Sequence, residues 1–172
     1  MFLKRFRERF IQNNTKKLLA LPQEDVRTSK VKTIGVLLNA DEFSDYEGVK
    51  TYFKTLGLQS HNYKFLAFSA TENLEHPQWD MYFYPKDISW RGQIKNPEVD
   101  AFIQEKFDVL IAYFTEDSPE LDLITAISKA NLKVGLSPCK QDFYHLAIAV
   151  DIEEIDLFKH ELKKYLTVLN KL

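Results

Sequence analysis

From residue 33 onward, apolar and polar positions fall into alternating blocks. Thr33–Asn39 (Thr-Ile-Gly-Val-Leu-Leu-Asn) is a continuous apolar run whose length and β-branched content predict a strand buried on both faces. Further runs predict strands over Asn62–Phe68, Met81–Tyr84, Phe107–Phe114, Leu132–Leu136 and His145–Val150, with the Phe107 run the most apolar. Helix signals lie between them. Ser44 with Glu47 three residues on reads as a capping box that opens a helix running to about Gly57. Asn96-Pro97 opens a second helix with Pro at its first position, and Ser118-Pro119 caps a third that ends near Ala130. Asp151 and Glu154 resemble another capping box. The helix after them carries Ile155, Phe158, Leu162, Tyr165, Leu169 and Leu172 at steps of three and four, so one face packs on a core.

Buried strands alternating with helices predict an α/β fold. We expect one Rossmann-like three-layer domain over residues 31–172, with a mostly parallel sheet of about five to six strands and helices on both faces. Residues 1–21 stand apart. At helical spacing Phe2, Leu3, Phe6 and Phe10 share an arc of about 100°, with Arg5, Arg9 and Lys16 on a neighbouring arc. Leu21-Pro22 ends this element, because the residue before proline disfavours helical backbone. Residues 22–30 read as a linker.

Charge sharpens that division. The chain of 172 residues has a net charge of −2, but residues 1–33 carry nine Lys/Arg against three Asp/Glu. The remainder carries 14 against 22, so a basic tail of +6 precedes an acidic body of −8. The basic helix has three outlets. It can lie on an anionic membrane surface, neutralise the phosphates of a ribonucleoprotein, or fill a protein groove with its aromatic anchors. The residues for any of these are Phe2, Lys4, Arg5, Phe6, Arg7, Arg9, Phe10, Lys16 and Lys17. The competing expectation is that the helix folds back on its own acidic body. The N-terminus lacks the continuous apolar stretch of a signal peptide, and no run approaches transmembrane length. With a single cysteine, Cys139, the expected setting is cytoplasmic. Sequence-specific DNA binding is not expected.

Specific chemistry is sparse. The turn after the first strand, Asn39-Ala-Asp-Glu-Phe-Ser-Asp45, has no glycine and three acids, which would repel a dinucleotide pyrophosphate. Neither a Walker phosphate loop nor a GxSxG elbow occurs. His61, His76, His145 and His160 form no HxH or HxxxH pair, so zinc has little support; His145, just before a strand, reads as structural. Cys139 beside Lys140 reads as an inert loop thiol. No cofactor is expected. In an open α/β sheet, ligands bind beyond the C-terminal strand ends. The polar residues there are Asn39, Asp41, Asp45, Asp87, Arg91, Thr115, Glu116 and Asp117. They form a candidate pocket for a nucleotide or sugar phosphate with Mg²⁺. Helix capping and ordinary loop polarity account for many of the same residues. Trp90, in the aromatic-rich Tyr82–Gly92 segment, is expected to pack in the core at the sheet edge rather than stack on a ligand.

Thr33–Leu58, the stretch Asp87-Ile-Ser-Trp-Arg-Gly92, and Phe107–Ile111 with its helix and Val134-Gly135 together resemble an uncharacterised family of small α/β proteins from Bacteroidota. That resemblance spans most of the chain and implies no activity. Phe107–Gly135 is also similar, over about 30 residues, to the acceptor half of heptosyltransferase-type glycosyltransferases. Those enzymes bind their nucleotide-sugar with a second Rossmann-like half, for which this chain has no room.

Overall fold

The computed structural model describes residues 30–72, 78–136 and 143–172, together with Glu8, Arg9, Gln12, Asn13 and Thr15. The strands are β1 (Ile34–Asn39), β2 (Tyr63–Phe68), β3 (Met81–Phe83), β4 (Val109–Tyr113), β5 (Leu132–Leu136) and β6 (Leu146–Ile148). The helices are α1 (Tyr46–Thr55), α2 (Pro97–Gln104), α3 (Pro119–Ile127) and α4 (Ile155–Val168). All six strands are parallel, in the order β3-β2-β1-β4-β5-β6. This is the doubly wound arrangement, and the winding reverses between β1 and β4.

Strand periodicity assigns the two faces. Val36, Phe65, Ile111 and Val134 point to one side, under Val49 and Phe53 of α1 and Phe158, Leu162 and Leu166 of α4. Leu37, Leu66, Leu110 and Ala112 point to the other, under Val99, Phe102 and Ile103 of α2 and Leu121 and Ile124 of α3. The central strands β1 and β4 are therefore covered on both faces, which is why they read as almost unbroken apolar runs, whereas Lys64 and Lys133 interrupt β2 and β5.

Three expectations need adjusting. The N-cap of α1 is Asp45, whose carboxylate accepts from Gly48 N at 3.0 Å, and not Ser44. That helix stops at Thr55, and Gly57 turns the chain at φ +80°. In α4 the buried set is Phe158, Leu162 and Leu166; the helix ends at Val168, so Leu169 sits at the cap and is exposed. Asn96 and Ser118 cap α2 and α3 as anticipated, accepting from Glu98 N and Leu121 N. Glu154 reaches back to Asp151 N at 3.2 Å, which is one half of the expected box.

One core defect yields a prediction. Tyr63 is 5% exposed and packs against Phe53 and Phe65, yet its hydroxyl has no hydrogen-bond partner among the described residues. Leaving such a group unsatisfied costs about 1–3 kcal/mol. Tyr63→Phe is expected to raise unfolding stability by about 1 kcal/mol in urea titration; a loss would mean that the hydroxyl is satisfied in solution.

Candidate functional site

The reversal of winding between β1 and β4 is where this architecture opens a crevice at the strand ends. Here the chain's own side chains bridge the surrounding loops. Asn39, the last residue of β1, is buried; its Oδ1 accepts from Asp41 N at 3.1 Å and its Nδ2 donates to Glu116 Oε2 at 3.5 Å. Glu42 spans the gap. Its carboxylate accepts from Thr115 N at 3.1 Å, from Glu116 N at 2.9 Å and from the Thr115 hydroxyl. Asp41 reaches the other way, accepting from Ala70 N at 3.1 Å and Ser69 Oγ at 3.3 Å, just past the end of β2. The β1–α1 loop is thus pinned to the loops after β2 and β4 by two carboxylates that take up the backbone donors a bound phosphate would need.

The eight pocket residues predicted from sequence therefore divide. Asn39, Asp41, Thr115 and Glu116 meet at the ends of β1, β2 and β4, bonded to one another or to neighbouring backbone. Asp45 serves the start of α1. Asp117 lies in the turn before the Ser118 cap. Asp87 and Arg91 belong to a separate feature beyond β3: Asp87 Oδ2 accepts from Tyr84 N at 2.9 Å, and the Arg91 guanidinium lies 4.6 Å from the Trp90 ring centroid. Trp90 is 51% exposed, so the expected core packing at the sheet edge is corrected. The residue that sequence reasoning left out of the pocket is Glu42. Its partner amides lie more than seventy positions away, so no local pattern marks it.

The walls beside the crevice carry locked phenols. Tyr46 donates to Asp80 at 2.6 Å and Tyr113 to Ile152 O at 2.7 Å. Burial raises both hydroxyls above their ordinary range, with the Asp80 bond adding to the effect for Tyr46. Both phenols serve as hydrogen-bond donors. Between α1 and α4 a narrow apolar cleft, lined by Phe43, Tyr52, Tyr113, Ile155 and Phe158, has about 20 Å³ of free space, room for no more than a water molecule. No group of three His, Cys, Asp or Glu among the described residues is arranged to hold a metal ion.

A second polar cluster lies away from the strand ends. Lys133 of β5 is 8% exposed and donates Nζ to Ala126 O, in the last turn of α3, at 3.0 Å. Lys133 N donates to His145 Nδ1 at 2.8 Å, so the ring proton sits on Nε2, which is buried and has no partner among the described residues. Burial followed by the Lys133 charge lowers the His145 pKa. Burial pulls Lys133 down to about 8 from its ordinary 10.5. The unfolded chain therefore binds the extra proton between these values, and stability from this group rises as pH climbs from about 8. Above pH 10 the raised phenols act oppositely, since unfolded tyrosine ionises first; Tyr52, for instance, is pushed up to about 12. The expected gain between pH 8 and pH 10 is about 2 kcal/mol, and Lys133→Met should abolish it in denaturant titrations across that range. An unchanged slope in the variant would exclude Lys133 as its source.

Of the basic N-terminal residues only Arg9 falls among those described, and it is exposed. Phe2, Lys4, Arg5, Phe6, Arg7, Phe10, Lys16 and Lys17 lie outside them, as do His76, Cys139, Lys140 and residues 22–29 of the expected linker. No helix among the described residues is long and apolar enough to cross a membrane. No curated protein and no solved structure matches the chain. A family profile does match, over residues 7–169. The chain belongs to DUF6913, a family of unknown function.

Proposed function

We propose that this protein is a non-catalytic, cytoplasmic interaction module. Its basic N-terminal segment docks on an anionic or protein partner: a ribonucleoprotein such as the ribosome, the inner membrane surface, or a protein complex. The observation that carries the reading is the set of carboxylate bridges across the strand ends. Where a doubly wound sheet would receive a ligand, Glu42 and Asp41 already hold the backbone donors. The +6 charge of residues 1–33, set against the −8 body, supplies the electrostatic drive towards an anionic surface. The alternative, a nucleotide or sugar-phosphate binder using Mg²⁺, needs Asp41, Asp45, Asp87 and Arg91 to converge. Each has another task, and Asp87 and Arg91 sit on a different element. The likeness to an acceptor half of glycosyltransferases is kept as a proposal about ancestry and carries no reaction.

The test is co-sedimentation of the full chain, and of a variant with Lys4, Arg5, Arg7, Arg9, Lys16 and Lys17 changed to Gln, with ribosomes and with anionic and neutral vesicles. Binding that is lost in the variant while thermal unfolding stays unchanged supports docking and names its class. Equal binding of both forms, or none by either, overturns it. Saturable stabilisation by a nucleotide or sugar phosphate with Mg²⁺ overturns the non-catalytic reading.

A further inference from the structure

The two ends of the sheet differ in charge. Each helix follows a strand of the parallel sheet, so it begins beside the strand ends and returns to the strand starts. Around the strand ends the exposed charged residues are mostly acids, among them Asp41, Asp45, Glu116, Glu153 and Asp156. The loops at the strand starts are tied into one platform. Asp108 N donates to Thr33 O at 3.1 Å, Asn131 N to Phe107 O at 2.8 Å, Lys129 N to Ile103 O at 3.0 Å and Val31 N to Lys171 O at 2.8 Å. On it stand Lys32, Lys54, Lys106 and Lys129, all exposed. The acids beside them are engaged: Glu105 pairs with Lys64 at 2.6 Å, and the Asp108 carboxylate accepts from the Lys32 and Thr33 amides. Among the described residues no ion pair joins any of the four lysines to an acid.

Apolar surface is exposed at the same end. Val168, 72% exposed, closes α4, and half-exposed Leu169 caps it. The bond from Val31 to Lys171 sets this pair beside the chain entering β1. The basic segment before residue 30 joins the fold here too, through Lys30, whose Nζ donates to Leu172 O. A phosphate backbone offers nothing to an exposed valine and leucine, and no Phe, Tyr or Trp among the described residues stands exposed on the platform to stack a base. An anionic bilayer meets both features, with phosphates for the lysines and an acyl boundary for the apolar pair. It also repels the acidic opposite end, which fixes one orientation.

We infer that the strand-start end of the domain is a docking face for an anionic lipid bilayer, with Lys32, Lys54, Lys106 and Lys129 over the headgroups and Val168 and Leu169 dipping towards the acyl chains. The inference rests on the docking reading and narrows its partner to a membrane surface, with a contact face on the folded domain itself.

The probe is flotation of the full chain with vesicles of equal parts phosphatidylglycerol and phosphatidylcholine, beside vesicles of phosphatidylcholine alone. Binding to the anionic vesicles only is expected, and it should fall with added salt. Changing the four lysines to Gln should weaken it by more than about a hundredfold, since each contributes about fivefold. Val168→Ser combined with Leu169→Ser should weaken it about tenfold. Thermal unfolding should stay unchanged in both variants, because all six side chains already face water. Binding lost in the four-lysine variant, yet kept when the N-terminal cations are neutralised, upholds the inference even though docking through the N-terminal segment fails. Binding that needs the N-terminal cations, but neither the four lysines nor the apolar pair, overturns the inference and leaves docking intact. Absence of vesicle binding overturns it too, as does equal binding to neutral vesicles, or a four-lysine variant that loses only ribosomes.

Discussion

Replacing Gly35 with alanine is expected to cost about 3 kcal/mol, the upper end of what overpacking a core position does. Gly35 lies in β1, hydrogen-bonded between β2 and β4 at the centre of the sheet. A methyl group there would stand 2.7 and 2.8 Å from two carbons of the Phe107 ring. That ring cannot yield easily: it is 1% exposed and packs against Phe102 with centroids 5.0 Å apart. Gly135 presents a closer approach, to Tyr144, but Tyr144 is only partly buried near the sheet edge. The cause is testable by a double-mutant cycle in urea. Phe107→Leu alone removes buried surface and destabilises; in the Gly35→Ala background it should instead restore stability. Simple additivity of the two losses would show that the ring is not what excludes a side chain at Gly35.

The second large effect is expected at Asp108. A single carboxylate oxygen, Oδ2, accepts from Lys32 N at 2.8 Å, Thr33 N at 3.0 Å and Thr33 Oγ1 at 3.2 Å. In return Asp108 N donates to Thr33 Oγ1 at 3.1 Å. The clamp joins the segment leading into β1 to the start of β4, the pair on either side of the winding reversal. Asp108→Ala leaves two backbone amides and a hydroxyl without their charged acceptor, and a loss of about 3 kcal/mol follows. Asp108→Asn keeps an oxygen acceptor but not its charge, and should recover roughly half. Equal loss in both variants would make charge the whole effect. No loss in either would mean that water replaces the clamp.

How much of this was legible along the chain depended on the range of the interaction. Strands β1 and β4 were visible because burial on both faces keeps them almost wholly apolar, and β2 and β5 because only a single lysine, Lys64 or Lys133, interrupts each run. Caps were visible to within a residue: Asn96 and Ser118 stand directly before a proline, whereas Ser44 and Asp45 compete for one role, and geometry chose the acid. Leu169 continues the apolar spacing of α4, but the helix stops one residue earlier, so periodicity overshot. Trp90 shows the opposite failure. An aromatic beside apolar neighbours suggests core, and only the fold reveals that Ile88 and Ile94 take the core and leave Trp90 exposed. The Glu42 bridge was invisible in principle, since a glutamate in a polar loop looks the same whether it faces solvent or a distant pair of amides.

The most direct test of the account follows the backbone amides of Thr115, Glu116 and Ala70 by NMR while Mg²⁺ with a nucleoside diphosphate, and then with a sugar phosphate, is titrated into the full-length protein. If the chain's own carboxylates hold the crevice, those amide resonances stay in place at millimolar ligand. Saturable movement of these amides would show that the crevice accepts a ligand, and would contradict the non-catalytic reading.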